Sequence, residues 1–197
     1  MRQVRIVLWL LVAVALAGLA YLLLRPVPRA APQAEVATAR IGGPFTLVGS
    51  NGQPFPSSRL AGKPYAIFFG FTQCPDVCPT ALQRLVRLRK ELGRGDGAFN
   101  IVFVSVDPER DGPEQVGAYE QAFGGPVIGL TGSPSQVEQV KKQYGIFSRR
   151  VDDGSGHYMV DHTSTVLLFG PDGRFVATIA TDEQDGAALD KLKRITA

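Results

Sequence analysis

The chain has 197 residues, 45% of them hydrophobic, and a formal net charge of +3, a globular composition with room for one ordinary domain and something more. Arg2, Arg5, Arg25 and Arg29 against Glu35 carry the whole excess before residue 40, and the remainder is formally neutral. Nothing in that balance requires the basic face of a nucleic-acid binder, and a total of two cysteines excludes a disulfide-rich scaffold.

Residues 6–24 are uncharged and rich in Leu, Val and Ala. At about 1.5 Å per residue, a helix over this run approaches the ~30 Å hydrocarbon thickness of a bilayer. Trp9 and Tyr21 stand near its ends, where aromatic side chains favour the interface. These features predict a transmembrane anchor over residues 1–24. A cleaved signal peptide is the competing reading, with Gly18-Leu19-Ala20 as its small-residue site. However, Tyr21-Leu22-Leu23-Leu24 continues the apolar run past that point, beyond a signal core of roughly 7–15 residues. Arginines on both sides nearly balance the positive-inside rule, and the α-amine tips it toward an N-terminus inside. Residues 25–40, with Pro26, Pro28 and Pro32 among alanines, read as a semi-extended tether. Arg2 and Arg5 directly before the apolar run leave little room for a mitochondrial transit peptide. The expected location is a bacterial inner membrane, single-pass, with residues 41–197 as a domain facing the periplasm.

Within that domain, strand-like residues 45–48 and 53–55 flank Asn51-Gly52, a hairpin signal. Residues 65–71 are apolar throughout, as suits a strand buried on both faces. A helix follows over residues 80–92, with Leu82, Leu85, Val86 and Leu92 inward and Arg84, Arg87 and Lys90 on a solvated face. Residues 101–106 form a second buried strand, 113–123 a helix and 127–130 a short strand. Ser133-Pro134-Ser135-Gln136 opens a helix that runs to Tyr144 and stops at Gly145. Residues 147–160 are a turn-rich excursion with little to bury. Strands over 163–169 and 174–180 join at Gly170-Pro171-Asp172-Gly173, and a last helix covers 185–195. This order predicts an α/β, thioredoxin-like fold.

The two cysteines stand together, in Gly70-Phe71-Thr72-Gln73-Cys74-Pro75-Asp76-Val77-Cys78-Pro79-Thr80, between the apolar strand and the helix. Pro79 suits the first helical position, making Cys78 the N-cap; Thr80 with Gln83 is a rival capping box. Either way the helix dipole favours thiolate over thiol. Cys-x3-Cys can close as a disulfide, and it also lets both sulfurs face one ion. Two thiolates suit Cu(I), and imidazole tolerates Cu(I) and Cu(II). Structural zinc asks for four protein ligands, and no fourth is evident. His162, in the segment expected to pack against the thiol pair, completes a candidate metal site with Cys74 and Cys78. His157 and Met159 read as an exposed histidine and a packing methionine.

The Cys74–Cys78 segment, then Val104-Ser105-Val106-Asp107-Pro108-Glu109-Arg110-Asp111, then Asp161-His162-Thr163 before Gly170-Pro171-Asp172-Gly173, resemble the Sco (SenC) family over about residues 40–195. The resemblance implies a membrane-tethered thioredoxin-like domain. It further implies copper held at the positions of Cys74, Cys78 and His162, and a role in assembling the CuA centre of cytochrome c oxidase. Gln73 departs from the residue that many members carry before the first cysteine. Asp107 and Asp161 match family positions; a turn or capping role and an outer role around the metal are the alternatives for both.

Two functions follow. A copper metallochaperone would pass its ion to the oxidase subunit carrying CuA. A thiol–disulfide oxidoreductase would use Cys74 and Cys78 as its couple to reduce the acceptor's cysteines. His162 favours the first, because dithiol exchange needs no third ligand. Copper uptake would require both thiols reduced, which implies a thioredoxin-like reductant as a further partner. A peroxiredoxin-like reading fails because Pro75 stands three residues after Thr72. A merely structural disulfide sits poorly with a strand-to-helix loop carrying proline after each cysteine.

Overall fold

In the computed structural model the described residues are 2–24, 41–152, 154 and 157–197; side chains at 4, 7, 8, 12 and 22–24 lie outside the description. The chain divides into two units, Met1–Ala39 and Arg40–Ala197. In the first, α1 runs from Arg2 to Leu24. Among the described residues no helix is long and apolar enough to cross a membrane. The expected tether, 25–40, lies outside the described residues.

The second unit is built on a seven-stranded sheet. Its strands are β1 (Thr46–Gly49), β2 (Pro54–Pro56), β3 (Tyr65–Gly70), β4 (Asn100–Ser105), β5 (Ile128–Thr131), β8 (Val166–Phe169) and β9 (Phe175–Ile179), in the order β2-β1-β5-β4-β3-β8-β9. β3, β4 and β5 are parallel, β8 and β9 antiparallel to their neighbours. Helices α2 (Val77–Glu91), α3 (Pro113–Glu120), α4 (Pro134–Tyr144) and α5 (Asp185–Ile195) complete the mixed, thioredoxin-like α/β arrangement. β3 is buried at every position, as is β4 after Asn100, because both strands lie between neighbours and under helices. The Asn51-Gly52 turn, the Ser133–Gln136 capping box and the left-handed Gly145 cap all form.

Several expectations need correction. Of the basic residues of α2, Arg87 and Lys90 are exposed as expected, but Arg84 is not. Arg84 is largely buried, pairing with Asp185 and reaching the Ala180 carbonyl, while Arg87 bridges Glu91 and the same Asp185. Asp185, in the first turn of α5, is where a carboxylate complements the helix dipole, so the middle of α2 is tied to the start of α5. The excursion at 147–160 is a two-stranded antiparallel hairpin, β6 (Ser148–Asp152) with β7 (Tyr158–His162); Asp153, Ser155 and Gly156 lie outside the described residues. Residues 163–165 therefore belong to a connection, and β8 begins at Val166. Along β7 exposure alternates: Tyr158, Val160 and His162 face inward, Met159 and Asp161 outward, the period of two that a half-buried strand requires. Met159 is exposed rather than packing.

The end of β3 is the tightest point near the cysteines. A Cβ on Gly70 would stand 2.7 Å from Cys78 Sγ, 3.0 Å from the Phe68 ring and 3.2 Å from the Phe103 ring. Only glycine lets the sulfur reach the strand backbone. Gly70→Ala is expected to cost about 1–3 kcal/mol by displacing Cys78. The check is the denaturation midpoint of residues 41–197, and an unchanged midpoint would show that the sulfur relocates freely.

Candidate metal centre

Cys74 and Cys78 lie on either side of the start of α2, whose N-cap is Asp76 rather than Cys78. The Thr80 N–H donates to the Asp76 carbonyl at 3.1 Å, closing the first turn. Pro79 sits third in the helix, where an absent N–H costs nothing because the first turn has no intrahelical acceptors. The Cys78 N–H, one of those orphan donors, points at Cys74 Sγ, 3.4 Å away. Local helix geometry thus folds the three-residue spacer so that the first sulfur caps the second residue's amide.

His162 arrives at the end of β7. Its Nε2 is 3.4 Å from Cys78 Sγ and its Nδ1 is 3.0 Å from the Thr163 carbonyl oxygen. A carbonyl only accepts, so Nδ1 carries the ring proton of the neutral imidazole and Nε2 presents its lone pair to the sulfurs. The edges and faces of Phe68 and Phe71 hold the ring in T-shaped contacts, with centroids 5.9 and 5.8 Å away. The donor atoms of Cys74, Cys78 and His162 all lie within 4.8 Å of one another. The three residues singled out from sequence are brought together, and both cysteines are free thiols.

The two sulfurs differ. Cys78 is fully buried and Cys74 partly exposed. Burial pushes the Cys78 thiol well above its ordinary range; its hydrogen bond with Cys74 and the negative charges of Cys74 and Asp111 push the same way, against a backbone hydrogen bond involving Phe71. The expected dipole-stabilised thiolate is overturned at Cys78: desolvation exceeds what the first turn of α2 supplies.

Sequence reasoning left Asp111 without a role. Its carboxylate is completely buried and accepts from the Thr72 N–H at 2.9 Å, the Thr72 hydroxyl at 2.6 Å and the Ser105 hydroxyl at 2.6 Å. Its carbonyl accepts from the Thr131 hydroxyl at 2.6 Å. The cysteine loop is thereby fastened to the ends of β4 and β5. Parallel strands β3 and β4 deliver their following loops to the same edge of the sheet, which is the signal that singles out residues 107–111 as neighbours of the cysteines. The Asp107 carboxylate accepts from Arg110 and from the Tyr158 hydroxyl at 2.9 Å, linking its loop to β7, while its carbonyl accepts from the Arg110 and Asp111 N–H groups and closes a turn. Asp161 faces outward and pairs with Arg149 across the hairpin, away from the imidazole beside it. His157 is exposed.

The SCO1/SenC family pattern matches residues 33–197. The chain is 38% identical over 139 residues to the mitochondrial SCO1 homolog 1 of Arabidopsis thaliana, covering 70% of this chain and 42% of that protein; it thus spans about two fifths of that relative's length. The copper-bound structure of Bradyrhizobium japonicum ScoI is 39% identical, covers 79% of this chain and 99% of its own, and superposes with a TM-score of 0.71. BsSco, described as carrying a disulfide switch and as a member of the Sco family of cytochrome c oxidase assembly proteins, is 26% identical with a TM-score of 0.62, covering 80% of this chain and 94% of its own.

A buried thiol that resists ionisation affects stability. The unfolded chain releases this proton near the ordinary value of 9.0, whereas the folded chain holds it to higher pH. Stability from Cys78 is therefore complete below that value and falls as pH rises above it, by about 1.4 kcal/mol per pH unit. Denaturation of the reduced, metal-free domain and of Cys78→Ala between pH 8 and 10.5 should show their difference shrinking with pH; a constant difference would mean that Cys78 ionises in place. The folded frame, the S, S, N cluster and the matched pattern agree, and the chain belongs to the SCO1/SenC family.

Proposed function

We propose that this protein is a membrane-tethered copper chaperone that binds the ion through Cys74, Cys78 and His162 and hands it to the CuA-bearing subunit of cytochrome c oxidase. The single observation carrying this reading is the gathering of two sulfurs and one imidazole nitrogen within 4.8 Å. Three donors of that softness fit copper and fall short of the four that structural zinc takes. Because Cys78 is held as a thiol, loading releases its proton, so affinity should rise with pH through the neutral range. The partial exposure of Cys74 against complete burial of Cys78 supports release through ligand exchange that begins at Cys74, where an acceptor's sulfur has access.

The same asymmetry favours a second reading, in which accessible Cys74 attacks an acceptor disulfide and buried Cys78 resolves the mixed disulfide. That cycle ends with Cys74 and Cys78 joined and two electrons delivered to the acceptor. A thioredoxin-like reductant would then restore both thiols.

We further propose that α1 anchors the chain in a bacterial inner membrane, with residues 41–197 facing the periplasm through the 25–40 tether. The uncharged run of 6–24 and the prolines after it support this. Detergent should be needed to extract the full chain, and a reporter after residue 197 should be active only when exported. Release by salt alone, or a cytoplasmic reporter signal, would count against the anchor or its orientation.

His162 separates the two chemistries. Two thiolates hold Cu(I) in near-linear geometry unaided, while Cu(II) needs the imidazole. His162→Ala should weaken Cu(II) binding by at least about tenfold, ~1.4 kcal/mol, with little change for Cu(I); Cys74→Ser and Cys78→Ser should lose both. Competition titrations with chelators selective for each oxidation state are the measurement. Equal losses for both would sink the division of labour, and no loss for either would remove His162 from the site and put the reductase first.

A further inference from the structure

The hairpin that carries His162 has no partner strand in the main sheet; β6 and β7 pair only with each other among the described residues. An isolated two-stranded hairpin is marginal in water. Val160 is buried, and the base is tied by the Thr163 N–H to the Phe147 carbonyl at 3.0 Å and the Phe147 N–H to Thr163 Oγ1 at 3.1 Å. Behind the inner face, however, lies a cleft of about 210 Å³ whose lining includes Pro108, Val137, Lys141, Tyr158 and Val160. The strand bearing the imidazole is not held by dense packing along its length.

Arg110 supplies what packing does not. Its Nη1 donates to the Tyr158 carbonyl at 2.9 Å and to Gln73 Oε1 at 3.1 Å, and its Nε donates to Asp107. The guanidinium lies 3.6 Å from the centre of the Tyr158 ring and 5.7 Å from that of Phe71. Arg150, on β6, lies 3.7 Å from the Tyr158 ring centre. Two cations this close to one ring occupy opposite faces, since on a single face they would collide. Tyr158 is thus clasped between a guanidinium of its own hairpin and one from the loop after β4. Arg110 touches both arms of the metal site through hydrogen bonds: Gln73, which precedes Cys74, and Tyr158, which shares the inner face of β7 with His162. Among the described residues its Nη2 is buried without a hydrogen-bond partner, so three hydrogen bonds and the stacked rings fix its position. Lysine, a point charge without a fork or a flat face, cannot reproduce this set.

We propose that Arg110 is a positioning residue for His162: a latch that holds the hairpin against the cysteine loop and so decides whether imidazole joins the two sulfurs. This rests on the copper reading given above for Cys74, Cys78 and His162. Arg110 touches none of the three donor atoms in the contacts described. Its removal should leave the two sulfurs in place and withdraw only the nitrogen.

The test compares wild type, Arg110→Met, Arg110→Lys, Tyr158→Leu, His162→Ala and the double variant Arg110→Met/His162→Ala, all in the full chain in detergent. Arg110→Met and Tyr158→Leu should each lower Cu(II) affinity by about ten- to a hundredfold, the scale on which ligands lose their orienting partners. They should also weaken or shift the thiolate-to-Cu(II) charge-transfer band, with Cu(I) affinity within about threefold of wild type. Arg110→Lys should rescue poorly. In the His162→Ala background Arg110→Met should have no further effect on Cu(II), because nothing is left to position. A metal-independent measurement runs alongside: in the reduced apo protein, amide hydrogens of residues 158–162 should exchange faster in Arg110→Met while those of β3 and β4 keep their protection. Equal losses of Cu(I) and Cu(II), an additive loss in the double variant, or unchanged exchange in the hairpin would each overturn the latch. If wild type and His162→Ala bind Cu(II) equally, the copper-site reading fails, and hydrogen exchange still decides whether Arg110 holds the hairpin.

Discussion

One buried carboxylate sets the frame for the whole site. Asp111 takes three hydrogen bonds on its side chain, two from Thr72 and one from Ser105, and a fourth from Thr131 on its carbonyl. A carboxyl group with no exposure is tolerated only when its hydrogen-bonding capacity is filled. Filling it here requires the loop after β3, the end of β4 and the end of β5 to meet at one point. Once Thr72 is fixed, only Gln73 separates it from Cys74, and the short spacer into α2 brings Cys78 under Gly70. The cysteines are thus registered against the sheet by a residue that stands far from them in sequence.

The other half of the site obeys weaker constraints. The sulfurs sit on the strand-to-helix junction of a packed core, whereas the imidazole rides on a two-stranded excursion fastened by a few polar and stacking contacts. The difference is what the proposed chaperone function would call for, since a carrier has to release its ion. Two donors hold a constant place, and a third is attached by interactions each worth a fraction of a complete core contact. A protein built to retain its metal would bring all its donors from the rigid core.

Much of this was legible in the sequence. The apolar run into the cysteines, the capping box at Ser133, the stop at Gly145 and the chain order of strands and helices are local signals, and the structure realises them. His162 was reachable because it had few competitors, and its neighbours matched a known pattern. What sequence could not supply was long-range or depended on solvation. The start of α2 lies earlier than Pro79 suggested, because a proline is tolerated anywhere in the first turn. Arg84 leaves the solvated face because Asp185, about a hundred residues away, is its partner. The raised ionisation of Cys78 escapes the sequence because the dipole is readable from a helix start, while complete burial emerges only from the packed sheet. Arg110, Asp111 and Tyr158 were visible as letters, but the parallel pairing of β3 with β4 brings the first two to the cysteine loop, and Tyr158 arrives on a hairpin outside that sheet.

The alternation along β7 carries a consequence for how this family can vary. Tyr158, Val160 and His162 face inward only because they are two residues apart on one strand. A single residue inserted or deleted within 158–162 would turn the strand over, offering a carboxylate or a threonine hydroxyl where a nitrogen donor belongs. The turn joining β6 to β7 is under no such parity rule and can lengthen or shorten so long as Ser148 still faces His162. Among relatives, length differences should gather at the tip of the hairpin, while the spacing from Tyr158 to His162 stays constant.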